Sequence, residues 1–280
     1  MRSKKMLTNQ QITEIKTLQE ICEIDGGFQL KLNFDMLENR SGNLKEDFFY
    51  YKDGRLVGFL GSYGFGNKIE LCGMVHPNYR QQGIFSSLIT SGLDEAKQRG
   101  FSKILLNAPA KSNTAKTFLQ NVPCTFYCAE HQMKWHQNDL IEDDRITVRP
   151  SVSSEDEEAE VLLEISGFGM SEIEAREMQK MISEQSSEQK LIIEVEGKIA
   201  GKMRVSELNG EAWIYGFAVF PELRGKGIGR RALSHVVKME LAKGFPVFLE
   251  VEAKNARALT LYESCGFKTY HSQNYYEYTK

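Results

Sequence analysis

The residues with the clearest chemical potential lie in one stretch, Phe217-Ala-Val-Phe-Pro-Glu-Leu-Arg-Gly-Lys-Gly-Ile-Gly-Arg230. Its apolar start suits a buried strand, and Pro221 closes that strand because proline cannot donate to a sheet ladder. Gly225, Gly227 and Gly229 follow at alternate positions, so the backbone can come close to a ligand. Ile228, Ala232, Leu233, Val236, Val237 and Leu241 then recur at helical spacing. A glycine loop opening a helix points backbone N–H groups, with the positive end of the helix dipole, at whatever sits there. That chemistry fits a phosphate, with Lys226 and Arg230 able to add charge-assisted bonds. A second stretch runs Asn255-Ala-Arg-Ala-Leu-Thr-Leu-Tyr262-Glu-Ser-Cys-Gly266-Phe267. Asn255 suits a helix N-cap and Gly266 a helix stop. Asn255 and Tyr262 are about two turns apart, so they share a helix face with Ala258 between them. Tyr262 offers a phenolic proton, or else a packed ring. Glu211, Glu250 and Glu252 are candidate bases, although a carboxylate in such a place is more often solvated or salt-bridged. Period-two alternation would put Glu211 on one strand face with Trp213, Tyr215 and Phe217. No Ser-His-Asp arrangement or metal-ligand spacing stands out.

A Walker loop, G-x-x-x-x-G-K-[ST], is absent, and the glycines do not follow the dinucleotide spacing G-x-G-x-x-G. The order [QR]-x-x-G-x-[GA] is met by Arg224, Gly227 and Gly229, and N-x-x-A-x-x-x-Y-x-x-x-G-F is met over Asn255–Phe267. Together these resemble the two signatures of the GNAT (GCN5-related N-acetyltransferase) superfamily. The resemblance implies acetyl-coenzyme A as the cofactor. It places Arg224, Gly225, Lys226, Gly227, Ile228, Gly229 and Arg230 at the pyrophosphate. It places Phe217, Ala218 and Val219 where an exposed backbone N–H polarises the thioester carbonyl. Asn255 and Ala258 would lie on the helix beside the cofactor, with Tyr262 next to the sulfur as the acid for the leaving thiolate. The implied reaction is direct acetyl transfer to the primary amine of a small molecule or peptide, with Glu211 as the candidate base. The alternative is a non-catalytic acyl-coenzyme A sensor or scaffold.

Around these motifs the elements can be laid out in order. Asn9 to Cys22 carries Ile12, Ile15, Leu18, Ile21 and Cys22 on a helical stripe, and Phe28 to Asn39 suggests a second short helix. Phe48 to Tyr63 reads as a hairpin turning at Asp53-Gly54, followed by a strand over Lys68 to Val75. A helix then carries Ile84, Phe85, Leu88, Ile89, Leu93 and Ala96. Past the polar, acidic stretch from Asn138 to Arg145 come a short strand at 146–150 and a helix capped by Ser153 with Asp156 at the capping-box position. The acidic run from Glu155 to Glu158 is expected to favour that helix's dipole and face solvent. A helix from Ser171 to Gln185 and strands at Leu191 to Val195, Ile199 to Glu207 and Glu211 to Val219 complete the approach to the loop.

This order occurs twice. Arg80, Gly83, Val75, Pro77 and Gly100-Phe101 recur 144 positions on as Arg224, Gly227, Val219, Pro221 and Gly244-Phe245. The turn at Asp53 recurs as Glu196, 143 positions on. A repeat this long marks two copies of a domain, expected at 1–140 and 145–280. The expected fold class is α/β (α+β): two tandem GNAT folds, each a mostly antiparallel mixed sheet flanked by helices. The first copy departs from the motifs. Phe85 stands at the Gly229 position, Asn113 and Ala115 are spaced one residue too closely, and Leu119 or Gln120 falls where Tyr262 stands. The expectation is one working cofactor site per chain, in the second copy.

The chain has 280 residues, 41% of them hydrophobic, which suits two globular cores. No apolar run approaches the ~20 residues of a membrane helix, and the basic N-terminus lacks the apolar core of a signal peptide. A cytoplasmic protein without membrane contact is expected, and five scattered cysteines agree. The net charge of −3 argues against a nucleic-acid partner. Oligomeric state is left open.

Overall fold

A computed structural model describes residues 6–141, 143–183, 188–208 and 210–279. In chain order the elements are α1 (Asn9–Gly26), α2 (Phe34–Glu38), β1 (Asp47–Lys52), β2 (Arg55–Phe65), β3 (Lys68–Val75), α3 (Ile84–Gln98), β4 (Lys103–Pro109), α4 (Asn113–Leu119) and β5 (Cys124–Trp135). They continue with β6 (Ile146–Pro150), α5 (Ser154–Phe168), α6 (Glu172–Ser183), β7 (Glu188–Val195), β8 (Lys198–Leu208), β9 (Glu211–Val219), α7 (Ile228–Ala242), β10 (Val247–Glu252), α8 (Ala256–Ser264) and β11 (Phe267–Tyr278). The chain forms two compact units. One runs to Ala129 and takes in the stretch from His271; the other is Glu130–Tyr270.

In the first unit β1, β2 and β3 pair antiparallel, β3 and β4 pair parallel, and β4 pairs antiparallel with Gln273–Glu277 of β11. In the second unit β6 through β9 pair antiparallel, β9 and β10 pair parallel, and β10 pairs antiparallel with Glu130–Lys134 of β5. The two ladders have the same order and the same senses. Each ends on a strand that comes from the other half of the sequence. Copies in sequence and units in space are therefore defined differently here.

The periodicities become packing. Ile15, Leu18 and Cys22 of α1 are buried, and α1 runs on to a left-handed glycine cap at Gly27 (φ 62°). The expected helix over Phe28–Asn39 is only the five-residue α2, and Leu30 and Leu32 ahead of it are buried outside any helix. The hairpin turns repeat in detail: Asp53 and Gly54 have φ 50° and 75°, and so do Glu196 and Gly197. Two left-handed residues in succession match the twist of the flanking strands. Ser153 and Asp156 form the capping box. The acidic run does not wholly face solvent, however. Asp156 is fully buried, accepting two 2.8 Å hydrogen bonds from the Arg149 guanidinium and further bonds from the Val152 and Ser153 amides. Those donors hold its carboxyl well below the usual range. The expected helix end at Gln185 lies outside the described residues, where α6 is seen to Ser183.

Candidate functional site

The loop after β9 begins with a single 3₁₀ turn at Pro221–Leu223. Arg224 closes it by donating from Nε to the Val219 carbonyl at 2.8 Å. Its guanidinium is therefore committed to shaping the loop. Gly225 and Gly227 both have φ 78°, which favours glycine. Gly227 is the N-cap of α7, makes no side-chain cap, and the first turn carries no acidic residue. The opening N–H groups of α7 thus have no intrahelical acceptor, and the nearby Asp143 carboxylate is paired with the Arg231 guanidinium at 2.8 Å. Lys226 is exposed, Arg230 is half-buried, and Ile228 turns into the core. Gly229 has a different role from its neighbours: a Cβ built there would lie 3.2 Å from Leu261 and 3.3 Å from Phe217. Its smallness lets α7 approach α8 and β9.

β9 is not a regular strand. Its register with β8 slips between Lys202 and Arg204, so that Arg204 faces Tyr215 while Lys202 faces Ala218. Gly216, at φ 55°, is the extra residue of a β-bulge, and neither it nor Phe217 takes a rung. The bulge overturns the expected alternation. Glu211, Trp213 and Tyr215 share the face covered by α5, whereas Phe217 is carried to the opposite face, against Gly229 and 6.5 Å in ring centroids from Tyr262. Ala218 returns to the α5 face, 3.1 Å from a Cβ built on Gly167. The partner strand parts at the same level. The β9–β10 ladder ends at Ile214↔Leu249, although β9 continues to Val219 and β10 to Glu252. Bulge and fork together leave main-chain groups at Gly216–Phe217 outside both ladders.

Tyr262 lies on α8 with its ring buried against Phe267, at 6.2 Å between centroids. Asn255 caps that helix by accepting from the Ala258 amide at 3.2 Å. Burial, with the Cys265 thiol beside it, pushes the Tyr262 pKa up to about 12. Tyr262, Phe217, Gly229 and the α7 N-terminus thus share one side of the fork. Glu211 lies elsewhere, at the start of β9 on the α5 face, accepting from the Trp213 indole at 2.9 Å. Glu250 is nearer the opening, one residue beyond the last β9–β10 rung, and accepts from Gln132 at 2.9 Å.

The family model described as acetyltransferase (GNAT) matches this chain twice, over residues 13–118 and 158–267. The chain belongs to the GNAT acetyltransferase family. It is 36% identical over 85 residues to a ribosomal protein bS18 alanine N-acetyltransferase of Escherichia coli strain K12, across 30% of this chain and 57% of that relative. It is 37% identical over 76 residues to the N-alpha-acetyltransferase RimI of Mycobacterium tuberculosis, across 26% and 47%. The chain therefore spans about half the length of these curated relatives. In fold it resembles a GCN5-related N-acetyltransferase from Sphaerobacter thermophilus, with TM-score 0.78 and 19% identity over 98% of this chain and 94% of that one. It also resembles a tandem GNAT protein from the clavulanic acid pathway, with TM-score 0.69 and 16% identity over 97% and 95%. The tandem GNAT architecture is thereby shown. Among the described residues no helix is long and apolar enough to cross a membrane, and no group of ligating side chains could hold a metal ion.

The first GNAT copy can now be set against the second. Arg80 donates to the Val75 carbonyl at 3.2 Å and Gly83 caps α3 at φ 77°, as Arg224 and Gly227 do. The expected misspacing at Asn113 and Ala115 is corrected. Ser112 is the α4 cap, accepting from the Ala115 amide at 3.2 Å, so cap and alanine keep the spacing of Asn255 and Ala258. A serine simply does the work of the asparagine. That register puts Leu119 at the tyrosine position and Phe118 at Leu261. Phe85 indeed packs edge-on against Phe118, at 5.0 Å and 77°. One difference was not expected from the sequence. β2 and β3 pair continuously from Phe65↔Lys68 to Gly58↔Val75, with no bulge. The available signal was the change of the repeat offset from 143 to 144 within this strand, since β3 carries its own lone glycine, Gly73, without a bulge.

Proposed function

We propose that the chain transfers an acetyl group from acetyl-coenzyme A to a primary amine at one site, in the copy spanning 145–280, and that the copy spanning 1–140 retains the fold without the chemistry. The observation that carries this reading is the concentration of three features in one copy. The second copy has the β9 bulge, a glycine at 229 and a phenol at 262; the first has an unbroken strand, Phe85 and Leu119. In this reading the N–H groups from Gly225 to Arg230 hold the pyrophosphate, with Lys226 and Arg230 beside it, and Arg224 positions the loop. The thioester lies in the fork, its carbonyl oxygen facing main-chain N–H groups at Phe217–Val219, where negative charge develops. The amine nitrogen attacks the carbonyl carbon, the C–S bond breaks, and the amine gives its proton to a carboxylate. Glu250 stands closer to the fork than Glu211 and is the stronger candidate for that base. A phenol at about 12 is a weaker acid than a thiol at ~8.5. Tyr262 accordingly acts by donating a hydrogen bond to the departing sulfur, and the proton shed by the amine finally neutralises the thiolate.

The names of the sequence relatives support an amine acceptor. A non-catalytic acyl-coenzyme A sensor would need the loop but not the bulge and Tyr262 together. The test is a panel of amines and short peptides incubated with acetyl-coenzyme A, following free thiol, alongside a calorimetric titration with coenzyme A. One site per chain and amine-dependent thiol release are expected. Coenzyme A binding without turnover on any amine would return the protein to the sensor reading.

A further inference from the structure

On the α5 face of the second unit, aromatic rings and carboxylates converge beside the fork. Trp213 stacks on Phe248 with centroids 5.0 Å apart and planes 16° from parallel. Phe248 meets the edge of Tyr270 at 5.9 Å and 66°. Glu211 is held by the Trp213 indole and Glu250 by Gln132, each at 2.9 Å. Burial, with both carboxylates adding to it, holds the Tyr270 phenol above the ordinary range. The Trp213↔Phe248 rung is the last but one before the β9–β10 ladder opens, and Glu250 is the first β10 residue past the opening. An acetyl group lodged in the fork, with Tyr262 behind it, is approached from this side.

The chemistry of the cluster selects for charge. Ring faces carry negative potential and attract a cation, and two carboxylates do the same. An ammonium already sits there: Lys134 Nζ lies over the Phe248 ring, 5.2 Å from its centroid. The first unit provides an internal comparison. Counting back from the end of its own parallel ladder at Leu71↔Leu106, the matching residues are Glu70 for Trp213, Leu105 for Phe248, Lys68 for Glu211 and Asn107 for Glu250. There Lys68 and Glu70 pair with each other at 2.8 Å, and these four matched positions carry no aromatic ring and a single carboxylate. The cluster thus accompanies the copy that carries the bulge and Tyr262.

We propose that Trp213, Phe248, Tyr270, Glu211 and Glu250 form the acceptor subsite, and that it selects organic cations: primary amines with an aromatic or apolar body and no carboxylate beside the amine. This rests on the acetyl-transfer reading above. The matched pair that tests it is phenethylamine against phenylalanine, which differ by one carboxylate. Each is titrated by calorimetry into the full chain with saturating coenzyme A, which cannot turn over, and into the free protein. Phenethylamine should bind at least about tenfold more tightly than phenylalanine, the size of one lost charge or cation–ring contact. Glu250→Gln should shrink that ratio to less than about threefold. Trp213→Leu should weaken phenethylamine by about fivefold or more while leaving coenzyme A affinity unchanged. Equal binding, preference for phenylalanine, binding of neither, or an unchanged ratio in both variants overturns the assignment. Coenzyme A affinity in the same experiment separates the two readings. If coenzyme A fails to bind wild type, the cofactor reading falls and the free-protein titration still decides the subsite. If it binds and the amines are not discriminated, only the subsite falls.

Discussion

Gly83 and Gly227 provide a controlled comparison between the copies. Both are N-caps in the left-handed region, with φ 77° and 78°. Alanine at either position incurs the same backbone penalty, roughly 1–2 kcal/mol. Their surroundings differ. A Cβ at Gly83 meets nothing within 4 Å, whereas one at Gly227 falls 2.1 Å from Arg231 Nη1. That atom is the far end of a flexible side chain, so it can swing away, and the added stability loss is small. Gly83→Ala and Gly227→Ala should therefore lower unfolding free energy by similar amounts, each about 1–2 kcal/mol. Their effects on coenzyme A should separate. In Gly227→Ala the methyl stands among the N–H groups assigned to the pyrophosphate. Weakening one charge-assisted hydrogen bond is worth about 2 kcal/mol, or a roughly 30-fold loss of affinity. Gly83→Ala should bind as wild type does. Differential scanning calorimetry measures the first quantity and isothermal titration with coenzyme A the second. Equal affinity losses in both variants would refute the single-site reasoning. Wild-type affinity in a folded Gly227→Ala would refute the assignment of the loop.

Two further perturbations follow. Tyr262→Phe keeps the buried ring and removes one hydrogen bond to the departing thiolate, worth about 1.5–3 kcal/mol, so turnover should fall by roughly 10–150-fold, with coenzyme A affinity unchanged. Because burial raises the folded pKa of Tyr262 to about 12, the stability it contributes is fully present below the ordinary phenol value of about 10 and lost as pH rises toward 12; alkaline unfolding of the Phe variant should lack that loss. Asp156→Asn breaks a buried pair whose partner Arg149 also donates to Glu194 at 2.8 Å, so the loss should be about 2 kcal/mol at pH 7, below the full figure for an orphaned charge. The folded pKa of Asp156 is depressed, so its contribution is present above about pH 4 and fades as pH falls further. The gap between wild type and variant in urea unfolding should close in acid, and a constant gap would show that the carboxylate charge is not what stabilises α5.

Much of the architecture was legible because it rests on local rules. The glycine loop, the Ser153–Asp156 capping box and the two Xaa-Gly hairpin turns are each specified within a few residues, and each appears where expected. The α4 cap was misplaced by one residue because Ser112 and Asn113 are both good caps, and only the bond to the Ala115 amide decides between them. The destination of the last strand was not legible at all. Nothing local in β11 distinguishes pairing with Leu105–Pro109 from pairing with any other edge. The register is set by long-range burial, as with Tyr275, which is 1% exposed.

The most consequential feature lay between these extremes. The repeat offset is 143 at the turn opening with Asp53 and Glu196, and 144 at Val75 and Val219, so the second copy gains one residue between them. The structure identifies that residue as Gly216 by its unpaired rung and positive φ. A one-residue insertion in a strand exchanges its two faces from that point on. Before the bulge the register keeps Glu211, Trp213 and Tyr215 on the α5 face. After it, Phe217 joins Tyr262 and Gly229 on the other, and the intervening main chain is freed from the ladder. Without the insertion, as in β3, the strand stays in register with β2 through Val75 and its two faces are not exchanged. A shift of one in a repeat offset inside a strand is thus a readable sign of which copy has kept its chemistry, provided the inserted residue is one that can adopt positive φ.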